Sequence, residues 1–201
     1  MTQSAELDEQ IDAVLTAQWH ELGAPGTWFR GSERVAIAQV CRDADRHVDL
    51  AEATHDAARC VAHDAAGITA ADVDWWESDG LDREHYVEVV GIVSRVVAID
   101  TYDRAVGRLQ RALPAPLDGE PSGQVEPAAK RRSGWVPAVG AIGPPTALSA
   151  VPAEALAQRE LHTALYLSYE GMADLDATSG LHRTQMELVA ARVSLLNDCF
   201  F

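Results

Sequence analysis

Apolar residues recur at steps of three and four along most of this 201-residue chain. This spacing places apolar side chains on one face of an α-helix, whereas a half-buried strand needs strict alternation. Leu7, Ile11, Leu15 and Trp19 follow it in the first predicted helix, over residues 5–22. Alanine, leucine, glutamate and arginine, all good helix formers, are frequent. The sequence therefore predicts an all-α fold.

Glycines and helix-capping residues divide the remaining periodic sequence into further helices. Before the middle of the chain we predict a helix capped by Ser32, one over 50–66, a short one over 69–76, and a long one from Asp82 toward Val106, ended by Gly107. Periodicity leaves open whether the second helix continues through 42–49. Later in the chain we predict a helix from Pro152 to about Tyr169, and a last one opened by Ser179 or Thr184.

The middle of the chain has a different composition. Seven prolines and five glycines fall between Leu113 and Pro145, and helical periodicity disappears there. A connection of this length is uncommon inside a compact domain, so we place an internal boundary in it. We predict an N-terminal helical unit over 1–112, a Pro/Gly-rich connection over 113–149, and the start of a C-terminal unit over 150–201.

Charge and cysteine content narrow the classes of partner. The chain has 31 acidic and 16 basic residues, a formal charge of -15, which repels nucleic acids and anionic membrane surfaces. It contains no apolar run of the roughly 20 residues that a membrane span requires, and its N-terminus lacks the features of a signal peptide. Three cysteines are too few for a secreted disulfide framework. We expect a cytoplasmic protein with reduced thiols and no cofactor or metal.

The segment 183–201 concentrates the residues that suggest chemistry. Asn197 and Asp198 favour helix N-caps, which predicts that Cys199 lies in the first turn of a new helix. Backbone amides and the positive end of a helix favour a thiolate there. Glu187 lies in an apolar stretch about three turns earlier, where we expect a raised pKa suited to proton transfer. Cys199 and Glu187 are the predicted catalytic residues.

This segment resembles the active-site signature of the carboxymuconolactone decarboxylase and alkylhydroperoxidase D-like family. Glu187, Ser194, Asn197 and Cys199 match it in residue type and spacing. The signature continues with a second cysteine, which would follow Phe201 directly, and then a histidine, so we expect the sequence to be truncated. Less specific matches to the family's closing helix lie at 80–94 and 100–107.

The resemblance implies an alkylhydroperoxidase D-like helical fold, built from two related units. Glu33 to Ala36 echoes Glu187 to Ala190, and Asp45 stands at the position equivalent to Cys199, so only the second unit carries the thiol. The implied activity is thiol-dependent reduction of a hydroperoxide, with re-reduction by a dithiol or protein reductant. By resemblance Cys199 is the resolving cysteine, which forms a disulfide with the oxidised second cysteine. Glu187 would start a proton relay, and the protein would be a homo-oligomer.

Two other functions stay open. A decarboxylase of the same family acts on a lactone with a histidine and no cysteine pair, and Cys199 argues against it. A helical scaffold or oligomerisation protein that kept the fold without the chemistry is the non-enzyme alternative. Cys41 and Cys60 have no partner cysteine nearby in sequence, so we expect them to fill the core.

Overall fold

A computed structural model describes residues 3–132, 134–141, 143, 146–178 and 180–199, with side chains from residue 6 onward. Within these ranges the regular structure is helical, and the predicted all-α fold class is confirmed. The helices are α1 (Gln3–Glu21), α2 (Gly31–Arg42), α3 (Glu52–His63), α4 (Ala70–Ser78), α5 (Arg83–Ala105), α6 (Pro152–Leu165), α7 (Tyr169–Met172) and α8 (Arg183–Leu196). None of the described helices is both long and apolar enough to span a membrane.

Several helix boundaries follow the predicted capping residues. Asp82 is the N-cap of α5, and Gly107 follows its end with a φ of 75°. Ser32 is not a cap, because α2 already begins at Gly31. The second helix does not continue through 42–49, since Asp43 is extended.

The start of the last helix also differs from the prediction. His182 is the N-cap of α8, and its Nδ1 accepts a hydrogen bond from the backbone N–H of Thr184. Ser179, the other predicted start, lies outside the described residues.

Helix α5 is the centre of the fold. It packs against α1, α2, α3 and α6, and it buries residues on several sides instead of along one stripe. Fully buried side chains around it form one main core, which includes Leu15, Leu22, Ile37, Val40, Trp76, Ile92 and Ile99. A helix surrounded in this way needs apolar residues around most of its circumference, as the valine-rich sequence of α5 provides.

The Pro/Gly-rich segment lies along the helical body in an extended path. The backbone N–H of Leu117 donates to the carbonyl of Gly23 at 2.7 Å, and that of Gly123 donates to Thr27 at 2.8 Å. Trp19 Nε1 donates to the carbonyl of Ala112 at 2.7 Å. These bonds give the backbone groups of the segment hydrogen-bond partners, which they cannot obtain from a helix or a strand because the prolines interrupt both.

Helix α6 follows this segment and returns to the body. It packs against α1 and α5, and Leu161 joins the main core. The first helix of the predicted C-terminal unit thus shares its packing with the predicted N-terminal unit. The division into two related units stays a prediction.

Helix α8 lies at the edge of this body. Met186 is its buried residue, whereas Leu188, Leu195 and Leu196 are each about two-thirds exposed or more. Arg183 holds its first turn in place by donating to the carbonyl oxygens of Met172 and Asp174, each at 3.2 Å. This exposed apolar surface of α8 contrasts with α5, whose apolar side chains are mostly buried.

Candidate functional site

Glu187 is an exposed, ion-paired residue of α8. Its Oε1 accepts hydrogen bonds from Arg183 Nε at 2.6 Å and from the hydroxyl of Tyr166 at 2.8 Å. The Tyr166 hydrogen bond, followed by that of Arg183, lowers the pKa of Glu187. The prediction of a raised pKa is wrong, because this carboxylate lies in water instead of an apolar environment.

Cys199 follows the C-terminal end of α8. Asn197 is the C-cap, Asp198 has a φ of 51°, and the backbone N–H of Cys199 donates to the carbonyl of Ser194 at 3.0 Å. Such bonds terminate a helix. Asn197 and Asp198 therefore end α8 instead of capping a new helix before Cys199, and Phe200 and Phe201 lie outside the described residues.

The structure does not bring the two predicted catalytic residues together. Cys199 lies twelve positions after Glu187 along nearly continuous helix, about 18 Å along the axis. The thiol also lies beyond the C-terminal end of α8 and not in the first turn of a helix. Activation of Cys199 by the positive end of a helix is not observed within the described residues.

The three cysteines differ in access to solvent. Cys199 is exposed, Cys60 is partly buried, and Cys41 is buried. Burial raises the pKa of Cys41 to about 12 and, with the nearby carboxylate of Asp56, also raises that of Cys60. A thiol must ionise and meet its partner to react, so Cys199 is the accessible thiol of this set.

The end of α8 lies over a groove between α3 and α5. Leu196, Asn197 and Asp198, which precede Cys199, line this groove of about 460 Å³. Val93 and Val97 provide apolar surface on the α5 side, and His63, Ser94 and Asp64 add polar groups. His63 is not among the residues that the sequence predicts to carry chemistry. The groove is large enough for a small organic molecule.

A second candidate site is a buried ionic cluster formed by Arg34, Glu88, Arg95 and Glu154. Arg34 Nη1 donates to Glu88 Oε1, and it also donates to Glu154 Oε1 at 3.0 Å. Arg95 Nη2 donates to Glu154 Oε2 at 2.7 Å. All four side chains are at most 4% exposed. The cluster connects α2, α5 and α6.

The surroundings of Glu88 show how tightly this cluster is enclosed. Its Oε2 accepts a hydrogen bond from the backbone N–H of Trp28 at 2.6 Å. Burial raises the pKa of Glu88, while Arg34 and the Trp28 N–H oppose that shift. A buried ion pair loses most of its Coulombic gain to desolvation, so packing stability alone does not explain four such charges. Buried charges of this kind are frequent at functional sites.

A cavity of about 320 Å³ opens beside the cluster, between α1 and α6. Arg34, Arg95 and Glu154 contribute to its inner wall, and Gln18 lines it from α1. Glu21 and Glu160 are exposed and also line the cavity. Gln18 Nε2 donates to Glu160 Oε2 at 2.6 Å, which orients the amide.

Sequence reasoning missed this second site, although one signal was present. Glu88 and Arg95 interrupt apolar runs of the long helix, and their spacing of two turns places them on the same face. Opposite charges at such positions indicate a buried partner. Arg34 and Glu154 carried no comparable signal in the sequence.

No protein-family model matches the chain, and no match is found among curated proteins or solved structures. The resemblance to the alkylhydroperoxidase D-like family therefore rests on the sequence motif.

Proposed function

We propose that the protein is a thiol-dependent, peroxidase-like oxidoreductase of the cytoplasm, with the alkylhydroperoxidase D-like fold, in which Cys199 is the resolving thiol. Its partners are a small hydroperoxide, a dithiol or protein reductant, and further copies of the chain. The observation that carries the proposal is the position of Cys199, exposed and directly after three residues that line a groove. The residue match around Glu187 and Cys199 supports it.

The chemistry requires a second thiol, which the family signature places directly after Phe201. The sulfur of that thiolate attacks the hydroperoxide, which becomes an alcohol, and the sulfur becomes a sulfenic acid. The Cys199 sulfur then attacks the sulfenic sulfur, forming a disulfide and releasing water. A dithiol reductant returns both cysteines to thiols and is itself oxidised to a disulfide.

The described geometry changes the role proposed for Glu187. A proton relay through this residue requires its bonds to Arg183 and Tyr166 to open first. His63 and Asp64, at the end of α3 and its C-cap, provide polar groups in the groove that the residues preceding Cys199 also line. We propose the groove as the place where the hydroperoxide approaches the thiol pair.

A peroxidase assay tests this proposal. The chain is extended by one cysteine after Phe201 and assayed with cumene hydroperoxide and a thioredoxin-type protein dithiol. A small dithiol such as dithiothreitol is left out, because it would reduce the sulfenic acid directly and bypass Cys199. We expect Cys199→Ser to lower turnover at least about 10-fold, because the sulfenic acid then has no resolving thiol. Cys60→Ser is the matched control and should leave turnover unchanged. Equal turnover in the Cys199→Ser protein contradicts the assignment.

The second candidate is an oligomerisation protein without redox chemistry. Leu188, Val189, Val193, Leu195 and Leu196 of α8 are more than half exposed. Apolar residues clustered on one element mark interaction surfaces more often than scattered ones do. Sedimentation velocity distinguishes the two functions: loss of oligomers in Leu195→Glu, combined with no peroxidase activity in any variant, favours the scaffold.

A further inference from the structure

The inner wall of the α1–α6 cavity contains polar groups that the protein does not satisfy. Arg34 Nε and Arg95 Nε are buried N–H groups without a hydrogen-bond partner among the described residues. The buried oxygen Gln18 Oε1, an acceptor, also lacks a partner there. All three side chains line the cavity. A buried polar group that lacks a partner costs about 1–3 kcal/mol, so three in one place need an explanation.

The chemistry of these groups defines what fits them. Both arginines donate, and a carboxylate is the acceptor that suits guanidinium N–H groups best. Gln18 Oε1 needs a donor instead. A ligand that satisfies both must combine an acceptor with a donor within a short distance.

The outer part of the cavity adds a preference of charge and shape. Glu21 and Glu160 are carboxylates at the exposed side, which disfavours a ligand that is only an anion. Leu156 and Ala157 of α6 also line the cavity and provide apolar surface. A positively charged group is therefore favoured toward the exposed side, together with a small apolar side chain.

We propose that this cavity binds a small α-aminocarboxylate, with its carboxylate on the N–H groups of Arg34 and Arg95 and its ammonium on Gln18 and the acidic side. The volume of about 320 Å³ lies at the lower end of the range for ligand pockets and suits a molecule the size of one amino acid. The site shares no residue with the groove beside Cys199, so the two functions are independent.

Isothermal titration calorimetry with three matched probes tests the proposal. L-leucine carries both charged groups, 4-methylpentanoate lacks the ammonium, and 3-methylbutylamine lacks the carboxylate. We expect L-leucine to bind, and each half-probe to bind at least about 10-fold more weakly because one set of buried groups stays unpaired. No binding of L-leucine, or equal binding of the amine, overturns the proposal.

Variants locate the binding to this cavity. Gln18→Leu should weaken L-leucine binding about 10-fold, since it removes the acceptor. Ala153→Phe should abolish binding by filling the cavity, and Ala153 is exposed, so the fold tolerates it. Thr163→Phe, at an exposed position of α6 that does not line the cavity, is the control and should bind normally. Unchanged binding in Ala153→Phe overturns the assignment.

The same titration in Cys199→Ser separates this proposal from the redox function. Binding should be unchanged, because Cys199 does not line the cavity. A loss of binding there contradicts the independence of the two sites.

Discussion

Two glutamates of this protein pair with arginine in opposite environments. Glu154 accepts from Arg34 and Arg95 and is 2% exposed, whereas Glu187 accepts from Arg183 and is 51% exposed. Water stabilises the exposed charges whether or not they are paired, but the buried charges depend on each other. A glutamate–arginine pair thus holds helices together around Glu154, whereas around Glu187 it only orients a side chain.

The largest effect expected from this contrast is on stability. Glu154→Gln should lower the free energy of unfolding by about 3–5 kcal/mol, because it leaves the buried Arg95 without its charged partner. Glu187→Gln is the matched control and should leave the unfolding midpoint unchanged. Urea denaturation followed by circular dichroism measures both. Equal effects in the two variants would contradict the difference in environment.

Cys199, which follows α8, and Cys41, which lies in the core of the helical body, should differ in their rate of alkylation. With iodoacetamide at pH 8, Cys199 should react at least about 100-fold faster than Cys41, since burial and a pKa of about 12 keep Cys41 protonated. Mass spectrometry after proteolysis gives the rate for each site. In urea at a concentration that unfolds the chain, Cys41 should react as well. Fast labelling of Cys41 in the folded protein would show that the core opens.

A smaller effect should come from the close approach of α5 and α6. A methyl group on Gly91 would lie 2.5 Å from Glu154 Oε2 and 2.8 Å from its Cβ. Gly91→Ala should therefore destabilise the protein by about 1–3 kcal/mol, despite the better helix propensity of alanine. In Gly171→Ala of α7 the nearest atom is Ser168 Oγ at 3.1 Å, so we expect little change. Thermal unfolding compares them, and a stabilised Gly91→Ala would contradict the packing.

The smallest effect expected is on acid stability. Burial raises the pKa of Asp56, but hydrogen bonds from Arg59 and Trp76 outweigh it and hold the pKa below the ordinary value of an aspartate. The stabilisation is therefore present above the unfolded pKa and lost as pH falls through the folded one. Asp56→Asn should cost up to about 1 kcal/mol at pH 7, and this cost should disappear as pH falls through the folded-state pKa of Asp56. Asp118→Asn, at an exposed position, is the control and should leave the free energy of unfolding at pH 7 unchanged.

The helices themselves were largely predictable, because local residues determine them. Asp82 and Gly107 delimit α5 as predicted, since capping depends on side chains next to the helix end. The boundary predicted at Ser32 was wrong by two residues, because the N-cap of α2 is Arg30. The neighbouring sequence could not predict whether Asn197 and Asp198 end one helix or begin another, because both residue types occur at helix starts and at helix ends.

The candidate sites were less predictable. The motif around Glu187 and Cys199 identified the accessible thiol, but the expected pKa of Glu187 had the wrong sign, because an apolar sequence neighbourhood does not ensure burial. The cluster around Glu154 combines residues up to 120 positions apart. No short motif records such a combination.

The sequence by itself determined the all-α class, the position of most helices and the acidic character, since these follow from periodicity, capping and composition. Only the tertiary structure decided which charges are buried. Burial depends on how α1, α2, α5 and α6 converge, and it separates Glu154 from Glu187, two glutamates that look alike in sequence. Desolvation is the cause of this difference, because a charge removed from water depends on partners within the fold, whereas an exposed charge is stabilised by water.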